Sequence, residues 1–323
     1  MRVAAVVTAH DRRAFLPFAV RSALEGGADE VLVVRNFSGP IEGCEGRYTD
    51  VPCSTPDTNE KEARGLEAST ADVVGFLDDD DLWTPEKVPH LRSIFGADPD
   101  GVYYCHAHVP VDVEGAPVVA THREWADKHP ERFPQWDGND FEGLVRTVWP
   151  GNNSSTVVRR AWAVEWLPAF REAGWSADLF WLVAALLSGR RVTIGPEALT
   201  QLRLHGANMS HTRGTTAEEF RTRHQVTCER FARSNGTMAR LASARRGPGA
   251  PMTVYLSEAS EGFRFLADLE AGRRPRRAAL RALRHHAGRN DRGVFLAAGA
   301  AILSPTLARR LLFRSSLRRW SLG

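Results

Sequence analysis

The sequence predicts an α/β fold in which a mainly parallel sheet is flanked by helices, followed by a helical, basic and amphipathic C-terminal region. Three observations carry this. Two short apolar runs, Val3 to Val7 and Val31 to Val34, are separated by a helical pattern within about 35 residues, which is a βαβ unit with its right-handed crossover. A third apolar run, Ala71 to Leu77, ends on Asp78-Asp79-Asp80-Asp81 and is followed by Trp83, Pro85 and a new helix. From Thr216 onward the pattern is helical, and arginine accumulates toward the end.

The elements follow in order. Arg2 to Thr8 reads as a central strand, Phe15 to Leu24 as a helix closed by Gly26-Gly27, and Glu30 to Asn36 as a second strand. Ser38 to Pro56 is loop, with a short strand near Arg47 to Val51. Asn59 to Ala68 is helical, and so is Pro85 to Phe95, which opens on proline with Glu86 in its first turn. Val102 to Val113 is strand-like, turns at Glu114-Gly115 and returns over Pro117 to Thr121. Phe141 to Val148 is a short helix, and Trp149 to Arg160 a polar loop entering a strand. Helices are expected from Ala161 to Trp166 and from Asp178 to Ser188, the latter capped by Ser176. Arg191 to Ile194 and Leu199 to Leu204 read as two strands. The helical remainder has breaks at Gly236, at Gly247 to Pro251 and at Arg289 to Gly293. The composition shift near Thr212 to Thr216 sets two domains, 1–215 and 216–323.

Charge is unevenly spread over the 323 residues. The net charge is +3, yet Ala271 to Gly323 holds thirteen arginines against one acid, Asp291, so this tail is +12 and the rest is −9. Such a tail points to an anionic partner. Leu307, Leu311, Leu312, Leu317 and Trp320 stand among its arginines, the pattern of an interfacial helix on anionic lipid; packing on the rest of the chain or on another subunit is the alternative. No reader motif for nucleic acid accompanies the charge. No apolar run reaches the length of a membrane span, and no signal peptide precedes the first strand, so the expectation is a peripheral protein on the cytoplasmic face of a membrane. Cys44, Cys53, Cys105 and Cys228 lack zinc-finger spacing; Cys44 and Cys53 share a loop and could pair.

The acidic run is the chemical centre. Four adjacent carboxylates repel, and hard oxygen ligands suit Mg²⁺ or Mn²⁺ as compensator. Asp78 and Asp80 are two apart and share a face on an extended backbone. A solvated acidic turn is the alternative, but exposed acid runs seldom sit on a buried strand end.

Gly65-Leu66-Glu67-Ala68, the run Val73 to Trp83, Pro85 and Lys87, and the later Arg203 to Ser210 stretch together resemble the family 2 nucleotide-sugar glycosyltransferases. The resemblance spans Arg2 to His211 and implies the GT-A fold, a Rossmann-like sheet. It implies that Asp78-Asp79-Asp80 is the DxD motif, with Asp78 and Asp79 toward the nucleotide sugar and Asp80 on the metal, and that His205 completes the metal site. It implies Asp178 as catalytic base for an inverting displacement, at a place where relatives carry Glu-Asp and this chain has Ala177-Asp178. Thr8, His10 and Arg12 would hold the nucleotide, at the ligand edge of such sheets. Asn36 stands where the family places a base-binding Asp, and Asn59 and Lys61 are further candidates for the nucleotide pocket. Before Gly65 many relatives carry Arg-Asn, whereas this chain has Glu62-Ala63. Asn152, Asn153 and Ser154 would begin the acceptor side, with Trp125, Trp136, Trp149 and Trp175 as sugar platforms or core.

The resulting expectation is a Mn²⁺- or Mg²⁺-dependent inverting transferase. Its donor is GDP-mannose first or a UDP-sugar next. Its acceptor is a lipid-linked or polysaccharide hydroxyl, its surface an anionic membrane met by the basic tail, and its state open to homo-oligomerisation. The competing classes are a metal-dependent nucleotidyltransferase and a non-catalytic scaffold of the same fold. The first wants a glycine-rich phosphate loop, which Ala9 to Arg13 lacks. The second conflicts with the intact Asp78, Asp80, Asp178 and His205.

Overall fold

The computed structural model describes residues 1–118, 140–148, 151–205, 216–273, 304 and 306–309. Trp125, Trp136, Trp149 and nearly all of the arginine-rich tail lie outside them. The chain divides into two compact units, Met1–Leu204 and His205–Gly323.

The first unit is built on β1 (Val3–Ala9), β2 (Glu30–Arg35), β3 (Thr49–Pro52), β4 (Val73–Asp78), β5 (Leu82–Trp83), β6 (Gly101–Val111), β7 (Thr156–Arg159) and β8 (Arg191–Arg203). They form one sheet in the order β3-β2-β1-β4-β7-β6-β8-β5. The apolar runs become its centre because they are covered on both faces: every residue of β1 is buried. β1 pairs in parallel with β2 and with β4, in a register that sets Thr8 beside Asp78. β7 runs antiparallel to β4, with Gly75 opposite Val157. The residues just before β7 therefore arrive at the edge where β1 and β4 end.

The helices of this unit are α1 (Leu16–Glu25), α2 (Thr58–Ala68), α3 (Lys87–Ala97), α4 (Arg160–Ala173) and α5 (Ala177–Ser188). Asp57 caps α2 by accepting from the Asn59 and Glu60 amides. Gly65 lets α2 lie directly on β1, since a Cβ there would overlap the Val6 side chain. Arg35 leaves the end of β2 and is held by Asp50 of β3 in a two-pronged pair at 2.9 and 2.6 Å.

Several expectations need correction. α4 continues past Pro168 to Ala173, because its buried face of Trp162, Trp166, Leu167 and Phe170 outweighs the one lost backbone bond. Ser176 lies in the left-handed region at φ 55° and makes no side-chain cap. The two late strands are one, β8, kept continuous by pairing along the whole of β6 through register shifts. α3 starts at Lys87, with Glu86 at its N-cap rather than in its first turn. All four cysteines are buried and free, so Cys44 and Cys53 are not bonded to each other.

The second unit contains α6 (Ala217–Arg246), opened by a reciprocal capping box of Thr216 and Glu219, and α7 (Pro251–Glu270). Gly236 does not break α6. A Cβ there would meet Ser260 Oγ of α7 at 3.2 Å, so the glycine permits close helix packing. Phe231 stacks on Phe263, and His224 Nδ1 pairs with the buried Glu270 carboxylate at 2.9 Å.

Candidate active site

The strand β4 delivers Asp78 at its last position, and the chain turns at once through Asp79, Asp80 and Asp81 into β5. The turn is held from four directions. Ser154 Oγ accepts from the Asp78 amide at 3.0 Å and donates to Asp81 Oδ2 at 2.6 Å. The Arg203 amide donates to Asp81 Oδ1 at 3.0 Å, and the Arg203 guanidinium to the Asp80 carbonyl at 3.0 Å. Asn153 Nδ2 donates to Asp78 Oδ1 at 3.1 Å, with Thr8 Oγ1 at 3.5 Å. Arg12 lies across Asp79 and Asp80, pairing with Asp79 and reaching Asp80 Oδ2 at 2.7 Å.

Burial and mutual repulsion govern the acids. Desolvation, the Asp80 charge and then Asp79 lift the Asp78 carboxyl to about 7, against the bond from Asn153. Desolvation likewise raises Asp79 to about 6, with Arg12 opposing it. Desolvation and the charges of Asp80 and Asp78 push Asp81 well above the usual carboxylate range. Asp78, Asp80 and Asp81 each present a carboxylate oxygen within 4.8 Å of the others. This all-oxygen donor set fits a hard divalent cation. Asp79 turns away to Arg12, so part of the compensation expected from a metal comes from the protein itself.

The sequence-based candidates fall into groups. Thr8, Arg12, Asp78, Asp79, Asp80, Asn153 and Ser154 converge on the turn. Asn153 and Ser154, expected on the acceptor side, thus stand against the acidic turn itself. Lys61 is buried, and its Nζ donates to the Ala9 carbonyl at the end of β1 at 2.7 Å. Its pKa falls to about 8, chiefly by desolvation. Asn36 exchanges hydrogen bonds with Asp11, which sits at φ 57°, and so fixes the loop after β1. His10 lies in the same loop, its Nε2 at 3.4 Å from Asp11. Asn152 is buried, and its Oδ1 has no partner among the described residues.

Two candidates lie in the interior. Asn59 is fully buried and donates to the Phe170 carbonyl at 2.9 Å, bracing α2 against α4, while its Oδ1 has no partner among the described residues. Trp175 is 7 % exposed. His205 is buried and is the first residue of the second unit.

Asp178 lies in the first turn of α5, half-buried, with Oδ1 accepting from the Leu179 amide at 2.8 Å. Desolvation raises its pKa despite that bond. Burial first, and then the charges of Asp78 and Asp178, push the Glu62 carboxyl of α2 well above its ordinary value, against bonds from Trp181 and Asn153. Lys87, fully buried, donates to the Ser154 carbonyl at 2.7 Å and to Thr200 Oγ1 at 3.3 Å, which pins the loop before β7.

Sequence reasoning missed Asp81 as a member of the carboxylate cluster, Arg203 and Lys87 as supports, and Trp181, whose indole donates to Glu62 at 3.3 Å. The fourth Asp of the run was the available signal for the first of these.

Residues 60–148 match the model of the family described as Glycosyl transferase family 2, which bears out the resemblance drawn from the acidic turn. The structure is similar to a crystal structure of residues 1–349 of TarS from S. aureus in complex with UDP-GlcNAc. That match has TM-score 0.53 and 12% identity, and covers 97% of this chain and 91% of the other. The complex of the same TarS fragment with UDP matches with TM-score 0.51 and 12% identity, over 97% and 90% of the two chains. The shared fold is GT-A. No curated protein sequence matches the chain.

Proposed function

We propose, taking residues 60–148 as a family 2 glycosyl transferase region, that the chain is an inverting glycosyltransferase acting on a nucleoside-diphosphate sugar. The observation that carries this reading is the pairing of two unlike carboxylate sites: a buried acidic turn at the end of β4 and the separate Asp178 at the start of α5.

Asp78, Asp80 and Asp81 would hold Mn²⁺ or Mg²⁺. When bound, such a cation stabilises negative charge on a departing diphosphate. The protein's own groups do the rest. Thr8, Asn153 and Ser154 set the direction of the acidic turn. Arg12 and Lys61 supply positive charge where β1 ends. Asp178 takes the proton of the acceptor hydroxyl as its oxygen bonds to the anomeric carbon, and the nucleoside diphosphate leaves from the opposite face. One proton moves to a carboxylate, one C–O bond forms and one breaks.

The TarS structures hold UDP-GlcNAc and UDP, which supports uridine diphosphate sugars as donors ahead of GDP-mannose. The acceptor we propose is a lipid-linked or polymeric glycan, met at an anionic membrane surface through residues 271–323. No helix among the described residues is long and apolar enough to cross a membrane. The test is donor hydrolysis by the full chain with UDP-sugars and GDP-mannose. Release that needs Mn²⁺ and disappears in Asp178→Asn supports the reading. Release of inorganic pyrophosphate from a nucleoside triphosphate would establish the nucleotidyltransferase instead. Liposome pelleting that persists after deletion of 271–323 would remove the membrane role.

A further inference from the structure

The second unit joins a thiol, an imidazole and a carboxylate by two hydrogen bonds. Cys228 and His224 stand four apart on α6 and so share one face of that helix. Cys228 Sγ lies 3.5 Å from His224 Nε2. The other ring nitrogen, His224 Nδ1, is bonded at 2.9 Å to Oε1 of Glu270, the last residue of α7. Phe220, one turn earlier on α6, stacks on the imidazole with ring centroids 5.0 Å apart, which holds the ring's orientation. Glu270 Oε2 is buried and has no partner among the described residues, so the imidazole is what answers this carboxylate there.

A carboxylate only accepts, so Nδ1 carries a hydrogen toward Glu270. Nε2 then faces the sulfur, and the mobile proton of the trio lies between them. With that proton on nitrogen, the sulfur is a thiolate and the imidazolium is held between two anions. Desolvation opposes the imidazolium, but the bonds to Cys228 and Glu270 raise His224 to about 10, which favours this form at neutral pH. A nucleophile, a base and an orienting group within hydrogen-bond reach of one another are what activates a thiol. Cys228 is 2 % exposed and the His224 side chain 24 %, so the imidazole forms the open edge of the site. So little exposed sulfur suits a reagent close to water in size and excludes a bulky electrophile.

We propose that Cys228, activated by the His224–Glu270 pair, is a redox modification site that reacts with hydroperoxides. The Cys228 sulfur bonds to one oxygen of hydrogen peroxide as the O–O bond breaks. The sulfur is oxidised by two electrons to a sulfenic acid, and the peroxide is reduced. The departing hydroxide takes the proton of His224 Nε2 and leaves as water. Cys228 is the only cysteine of residues 205–323, so no second thiol of its own unit resolves the sulfenic acid. The site does not depend on the glycosyltransferase reading.

The full-length chain supplies its own controls, because Cys44 and Cys105 are 0 % and Cys53 is 2 % exposed. The folded protein is treated with hydrogen peroxide at neutral pH, sulfenic acids are trapped with dimedone, and each cysteine peptide is quantified by mass spectrometry. Cys228 is expected to be trapped about 30-fold faster than Cys53, its match in exposure, since an unactivated thiol is only a few per cent ionised at neutral pH. Equal rates, or no product at Cys228, would overturn the proposal. His224→Gln removes the base and is expected to lower the Cys228 rate by about the same 30-fold. Glu270→Gln removes the orienting charge and is expected to lower it by a smaller factor. An unchanged rate in both variants would overturn the relay. Should either variant fail to give a cooperative melt, the ultraviolet difference spectrum between the parent and Cys228→Ser reads the thiolate directly. A thiolate band at neutral pH is expected, and its absence overturns the proposal.

Discussion

Arg12 Nη1 lies 2.7 Å from Asp80 Oδ2, on a carboxylate that also faces the possible cation position. The same guanidinium pairs with Asp79. A resident positive charge therefore stands against the acids that a divalent ion needs, and the two cations repel. Arg12→Ala should tighten Mn²⁺ binding in the absence of nucleotide by about tenfold, equivalent to roughly 1.4 kcal/mol. It should weaken binding of a nucleoside diphosphate. Electron paramagnetic resonance of free Mn²⁺ measures the first and calorimetry the second; equal Mn²⁺ affinity in both proteins would refute the competition.

On the proposed reading, Asp178 would carry the pH dependence of the rate. Desolvation holds its pKa above the ordinary value of 3.8, and only the carboxylate form accepts the acceptor proton. The rate should rise with pH on an acid limb displaced upward from the usual carboxylate range. Asp178→Asn should cost about 10²–10⁴-fold in kcat and abolish that limb. Retention of the limb in the variant would assign it to another group.

The acidic turn should make the metal-free protein less stable as pH rises. Asp78 at about 7 and Asp79 at about 6 keep their protons in the folded state over a range in which the unfolded chain, near 3.8, has released them. The folded state binds more protons there, so stability falls between about pH 4 and pH 7. Mn²⁺ competes with those protons, so its thermal stabilisation should be larger at pH 7.5 than at pH 5.5, values chosen roughly either side of this titration. A shift independent of pH would contradict the coupling.

How much of this could be read from the chain alone differs by element. β1, β2 and β4 were legible because their runs are apolar without interruption. β8 was not, since Gly195-Pro196 interrupts the pattern and only pairing with β6 carries the strand through. In the site, the Asp run announced itself. The partners of its acids did not, because Arg12, Ser154 and Arg203 come from distant positions and meet the turn only in the fold. Asn59 and Trp175 have the right chemistry for ligand contact, and their depth in the fold could not be read from the chain alone.

The second unit offers a test of its own. His224 is raised to about 10: desolvation opposes its charge, but the bonds to Cys228 and Glu270 outweigh it. A raised folded pKa gives stability that is complete below the ordinary histidine value of 6.5 and is lost as pH climbs through about 10. Glu270→Gln should therefore destabilise the protein at pH 6 by about 3 kcal/mol, the order found when one partner of a buried pair is removed. The difference between the two melting curves should shrink above pH 10, where His224 is neutral in both. A pH-independent difference would mean that the pair carries no charge.

The antiparallel entry of β7 has a consequence for synthesis of the chain. Asp81 leaves the ribosome 73 residues before Ser154 and 122 residues before Arg203, the two groups that cover it. A nascent chain that stops between them exposes a cluster of like charges with half its wrapping missing. The growing polypeptide cannot close this region as it emerges and must wait for β8, so messages truncated before that point should yield proteolysed fragments rather than a smaller stable domain.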